Sequence, residues 1–100
     1  MKDESTDKLR DNSGLVITGG DGSSAEKALV INAKSSKTGI SAEYAYIERL
    51  CGIRGVDYIH RIQRLMGIND RMYDVLEIEM KDGSVRSFWF DITAFYGKGR

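Results

Sequence analysis

MYDVLEIEM, KDG and SVRSFWFDI, consecutive over residues 72–92, form the stretch whose reading decides the fold. Two apolar-rich runs flank a Gly-containing turn signal, the pattern of a β-hairpin. A two-residue turn at Asp82 and Gly83 would set Met80 against Val85 and Glu77 against Phe88, mixing charge with apolar groups on both faces. A three-residue loop of Lys81, Asp82 and Gly83, with Gly83 in the left-handed conformation, pairs Met80 with Ser84 instead. Leu76, Ile78, Met80, Phe88, Phe90 and Ile92 then share one face, and Glu77, Glu79, Ser87 and Asp91 share the other. A slip of one residue would turn every side chain over, so the cleaner separation of faces selects the second register. Tyr73, Val75 and Trp89 fall on the polar face, with Val75 opposite Trp89.

Working outward, the inner face of this hairpin needs an apolar partner. Ile40, Tyr44, Ile47 and Cys51 recur at i, i+4, i+7 and i+11, with Leu50 beside them, which predicts an amphipathic helix that lies on the hairpin. Thr38 or Ser41 is expected to cap its start, Glu43 to sit near the positive end of its dipole, and Gly52 to end it. ALVINA, residues 28–33, reads as a strand before it. Residues 56–66 are ambiguous. Val56, Ile59, Ile62 and Leu65 follow a helical period, and neither alternate set of residues makes a clean strand face. GINDR, residues 67–71, nevertheless resembles a hairpin loop, and a sheet of at least three strands is the independently stable one, which favours a strand.

The resulting expectation is an α+β fold of order β-α-β-β-β, one helix packed on a small antiparallel sheet. The layer is similar to that of cystatin-like folds by analogy of architecture alone, and such folds host unrelated functions.

The chain has 100 residues, enough for one core. Residues 1–13 are charged and polar with only Leu9 apolar, and GGDGSS at residues 19–24 has the composition of a linker. A flexible segment over residues 1–24 followed by a single domain over 25–100 is therefore expected, although residues 15–17 could add an edge strand. The formal net charge of +0 argues against coating nucleic acid or an anionic membrane. One cysteine, Cys51, permits no intramolecular disulfide and suits a reducing compartment. No apolar run approaches the roughly 18 residues of a membrane span, so a cytoplasmic protein is expected.

No motif for catalysis, metal binding or nucleotide binding emerges, and neither enzyme activity nor a cofactor is expected. His60 would need an oriented partner such as Asp57, Asp74 or Asp91 to act as a base. Cys51 falls on the apolar stripe of the helix, as a core thiol does. Lys37, Thr38 and Gly39 match the KTG element of serine β-lactamases by chance, without the SxxK nucleophile. Three binding surfaces follow. Tyr73, Val75, Trp89, Phe95 and Tyr96 form an outward aromatic group suited to another protein or a second copy of the chain, as does a free sheet edge. A pocket between helix and sheet near Tyr44, Tyr46 and His60 would suit a small molecule. Arg54, Arg61, Arg64 and Arg71 could contact RNA phosphates, although the nearby Glu77 and Glu79 argue for a neutralised face.

Overall fold

Gly83 stands at φ +91°, in the left-handed region, where its missing Cβ avoids a steric cost. Around it the Met80 N–H donates to the Ser84 carbonyl at 2.7 Å and the Gly83 N–H to the Met80 carbonyl at 2.9 Å. The strands on either side pair Val75 with Trp89 and Leu76 with Phe88, the register of the three-residue loop. The computed structural model of the chain describes residues 9–10 and 16–98. Its elements are β1 (Leu9–Arg10), β2 (Val16–Gly19), β3 (Leu29–Asn32), α1 (Ser36–Cys51), β4 (Tyr58–Ile68), β5 (Arg71–Met80) and β6 (Val85–Asp91).

The strands form one mixed sheet in the order β1-β2-β3-β6-β5-β4. Neighbours are antiparallel except β3 and β6, which run parallel through Leu29 opposite Phe90. The one helix among the described residues makes this a small α+β fold, with the order β-α-β-β-β from β3 onward. The expectation of a flexible segment over residues 1–24 falls in part, at residues 1–8 and 11–15, outside those described. Residues 16–19, however, pair with β3, so the sheet begins before residue 25.

Residues 58–68 are a strand, not a helix, and the reason their pattern was mixed is a β-bulge. His60 lies opposite Ile78 and Ile62 opposite Glu77, which leaves Arg61 as the extra residue. One inserted residue reverses the alternation. Before the bulge Tyr58 and His60 point to the helix side; after it Gln63 and Leu65 do. The apparent helical period of Ile59, Ile62 and Leu65 is this phase change. Asn69 and Asp70 then close the β4–β5 hairpin at φ +49° and +67°, a conformation that Asn and Asp tolerate better than most residues.

The core lies between α1 and the sheet. Ile31, Ile47, Leu76, Ile78, Phe88 and Phe90 are fully buried there, and side chains of this size each contribute about 1.5–3 kcal/mol by burial. The helix is rotated from the expected stripe. Ser35, not Thr38 or Ser41, is the N-cap, with its side chain accepting from the Thr38 N–H. The buried face is Gly39, Ala42, Glu43, Ile47 and Cys51, while Ile40 and Leu50 are 40% and 54% exposed. Small residues explain the rotation, since Gly39 and Ala42 let the helix approach its neighbours closely. A Cβ at Gly39 would run into the Phe95 ring. Glu43 is thus in the interior of the helix and not in its first turn, which contains no acidic residue.

Candidate functional site

α1, β4, β5 and the C-terminal turn diverge at one end of the core and leave a cleft. It is about 420 Å³ in volume and is lined by Ser36, Ile40, Glu43, Gln63, Leu65, Asp74, Ile92, Phe95, Tyr96 and Gly97. Ligand sites commonly run from about 300 to 1,000 Å³. Each wall has a local cause. The bulge at Arg61 turns Gln63 and Leu65 inward. Strand alternation puts Asp74 on the same side as Leu76 and Ile78. The C-terminal turn is tied down by the Ser36 hydroxyl, which donates to the Lys98 carbonyl at 2.7 Å, and by Phe95 seated on Gly39.

The polar end of the cleft holds two carboxyl groups. Glu43 is 0% and Asp74 4% exposed. Gln63 donates from Nε2 to both Asp74 oxygens, each at 3.1 Å. Neither Glu43 oxygen accepts a hydrogen bond from a donor among the described residues. Burial, above all, and then the hydrogen bond with Asp74 and its charge push the Glu43 carboxyl up to about 10. Two carboxylates without a cation between them cannot both ionise cheaply. At neutral pH Glu43 therefore keeps its proton and donates it to Asp74. That proton satisfies one Glu43 oxygen through the bond it makes; the other has no donor.

The sequence reading gave Glu43 to the helix dipole and Asp74 to His60 as a candidate partner, and missed them as a pair. Glu43 is four residues before Ile47, on the helix face that is buried. Asp74 pairs with Phe90, on the inner face of the hairpin. A charged residue at an apolar position in each of two facing elements was the available signal.

The expected pocket near Tyr44, Tyr46 and His60 is filled by the chain's own rings. His60 packs between Tyr44 and Tyr58, with centroids 5.1 and 5.7 Å away. Arg54 lies over Tyr44 at 5.5 Å, and Tyr46 meets the edges of Phe88 and Phe90 at 6.3 and 6.1 Å. The His60 Nε2 is buried without a partner. Burial first, and the Arg54 charge second, lower its pKa, which favours the neutral ring. Its candidate carboxylate partners are engaged elsewhere. Asp57 accepts from the Ile53 N–H at 2.7 Å, Asp74 from Gln63, and Asp91 from Thr93 and Arg71.

The outward aromatic group is not one exposed patch. Tyr73 and Val75 are 8% and 1% exposed, and Trp89 is partly buried and packed with them, together with Ala25, Ala28, Met66 and Ile68. The GGDGSS segment, rather than acting as a linker, leads the chain over this face. The Gly22 carbonyl accepts from the Trp89 N–H at 2.7 Å, and the Gly22 N–H reaches the Lys27 carbonyl at 2.7 Å. Asp21 braces the turn by accepting from the Ser23 N–H and hydroxyl at 3.0 and 2.7 Å. Phe95 is buried in the main core, and Tyr96, 48% exposed, belongs to the cleft.

Of the four arginines, three meet partners within the chain. Arg54 covers Tyr44; Arg61 approaches Glu77 and Glu79 at 3.9 and 3.8 Å; Arg71 binds Asp91 at 2.8 Å. Arg64 is exposed on β4, the outermost strand. Near that edge Ile53, Val56, Ile59, Ile62 and Leu65 are also exposed.

No group of three or more His, Cys, Asp or Glu among the described residues is placed to hold a metal ion. No helix among them is long and apolar enough to cross a membrane. Comparison with known protein families, with curated proteins and with solved structures finds no match for the chain.

Proposed function

We propose that the chain binds a small organic ligand in the cleft between α1 and the sheet, with Glu43 and Asp74 as the polar anchor. The observation that carries this reading is Glu43, a fully buried side chain that lines an open cleft and whose oxygens accept no hydrogen bond from the described residues. Replacing buried ionisable groups by well-packed apolar ones is commonly neutral or stabilising, so a core serving stability alone has no need of a carboxyl pair here. Strongly perturbed titratable groups inside clefts cluster at functional sites. The remaining wall is mostly apolar, as in small-molecule sites, where a few polar groups fix orientation. Binding is the reading, rather than turnover, because acid–base catalysis also needs a reacting atom placed against both groups.

A methyl-labelled sample titrated with a fragment library tests it. Shifts concentrated on Ile40, Leu65 and Ile92 are expected. Shifts confined to the Trp89 face or the β4 edge would remove the cleft from consideration.

A protein partner at the edge of β4 is the second reading, favoured by the exposed Ile59, Ile62 and Leu65 on a strand that is at the sheet edge among the described residues. Such an edge can accept an added strand. RNA binding has less support, because most of the arginine charge is met within the chain. A cytoplasmic location belongs to the same proposal, since Cys51 is the only cysteine and is buried.

A further inference from the structure

We infer that the ligand of this cleft is an organic cation, an amine or amidine carried on an apolar body. The inference rests on the cleft-binding reading and goes beyond it by naming the chemistry of the ligand.

The polar end of the cleft is rich in acceptors and poor in donors. Among the described residues no donor reaches either Glu43 oxygen, and Asp74 takes the Gln63 amide besides the Glu43 proton. Among the described residues no lysine, arginine or histidine lines the cleft. A carboxylate or phosphate ligand would meet two carboxyl groups and no cation, which disfavours it. A neutral hydroxyl has one proton to donate, whereas an ammonium has three donors and the complementary charge. A hard metal ion asks for six or more oxygen ligands or near-octahedral geometry, more than this pair supplies. Ile40, Leu65 and Ile92 offer an apolar wall, and Tyr96 an aromatic ring, to the rest of such a molecule.

The proton held by the pair gives binding a second signature. Asp74 on β5 is the charged group that faces Glu43; β4 adds only the neutral Gln63 amide, and the C-terminal turn the Tyr96 phenol. When a cation enters, both carboxyls ionise around it, and the proton passes to solvent.

Three matched probes test this on the full chain: phenethylamine, 2-phenylethanol and 3-phenylpropionate. Phenethylamine is expected to shift the Ile40, Leu65 and Ile92 methyl signals and to bind about tenfold or more tightly than 2-phenylethanol. Calorimetry at pH 7 in two buffers of unlike ionisation enthalpy is expected to show about one proton released per amine bound. Glu43→Gln and Asp74→Asn, both near-isosteric, should each weaken the amine about tenfold and narrow its preference over the alcohol. Equal or tighter binding of the alcohol or the carboxylate at the same methyls overturns the cation preference and leaves the cleft reading intact. Amine binding without proton release also overturns it. If none of the three probes, and no fragment, moves those methyls, the cleft reading fails and the inference falls with it.

Discussion

Glu43 on α1 and Asp74 on β5 face each other across the helix–sheet interface, two buried carboxyl groups of which burial and the neighbouring Asp74 hold Glu43 protonated. The arrangement opposes folding at neutral pH and so has measurable consequences. Glu43 has a folded-state pKa raised from 4.5 to about 10. Its contribution to stability is therefore fully present below about pH 4.5 and is lost as pH rises toward 10. Each pH unit in that window removes about 1.4 kcal/mol, or roughly 3 kcal/mol by pH 7. Glu43→Gln should be more stable than the parent at pH 8 and should show a flatter dependence between pH 5 and 9 in urea unfolding. Parallel curves for the two proteins would refute the protonated Glu43.

Asp91 has the opposite sign. Burial pushes its carboxyl up, but the Thr93 hydroxyl and N–H and the Arg71 guanidinium outweigh burial and hold it below the usual range. Its contribution is present above about pH 4 and lost as pH falls through the lowered value. Asp91→Ala should cost about 2–3 kcal/mol at pH 7, since it removes several hydrogen bonds to a charged group. Arg71→Ala should cost about 1 kcal/mol or less, because that side chain is 48% exposed and screened by solvent. Equal losses in chemical denaturation would contradict this ranking.

Gly39 tests the packing under the C-terminal turn. Glycine to alanine in a helix ordinarily gains about 1 kcal/mol. Here the added methyl meets the Phe95 ring, so Gly39→Ala should instead lose about 1–3 kcal/mol. The loss should shrink when Phe95→Leu is added, read as the melting temperatures of the two single variants and the double. A stabilised Gly39→Ala would mean that Phe95 does not sit on the helix.

Arg61 tests the bulge. Deleting it leaves His60 opposite Ile78 and Ile62 opposite Glu77 in a regular ladder. The deletion should keep the fold with a stability change within about 1 kcal/mol, because the ion pairs lost are long, at 3.8 and 3.9 Å, and made by a solvent-exposed arginine. Deleting Gln63 instead should reverse the faces of part of the strand and unfold the sheet. Amide spectra of the two deletions distinguish these outcomes.

Val75 and Trp89 tell whether the polar face is a surface or a second layer. Val75→Ala should cost about 1–3 kcal/mol, as for a buried site, with the packing of Ala25 and Ala28 loosened over it. A change near zero in thermal melting would mean that the turn over residues 20–28 does not cover this face in solution.

The hairpin register, its inner face and the α+β class were determined by the sequence alone, because alternation over two strands and one glycine-bearing loop admits only one arrangement that separates charge from apolar groups. The helix was legible as well, but not its rotation. Counting large apolar residues favoured Ile40 and Leu50, while close approach through Gly39 and Ala42 chose a different face. What only the tertiary structure decided depends on contacts between distant segments. Arg61 as a bulge is fixed by its pairing with β5, and the burial of Tyr73 and Val75 by residues 20–28 folding across them. The carboxyl pair is of the same kind. Glu43 and Asp74 are ordinary charged residues in the chain, and they become one hydrogen-bonded unit only when α1 and β5 exclude water from both.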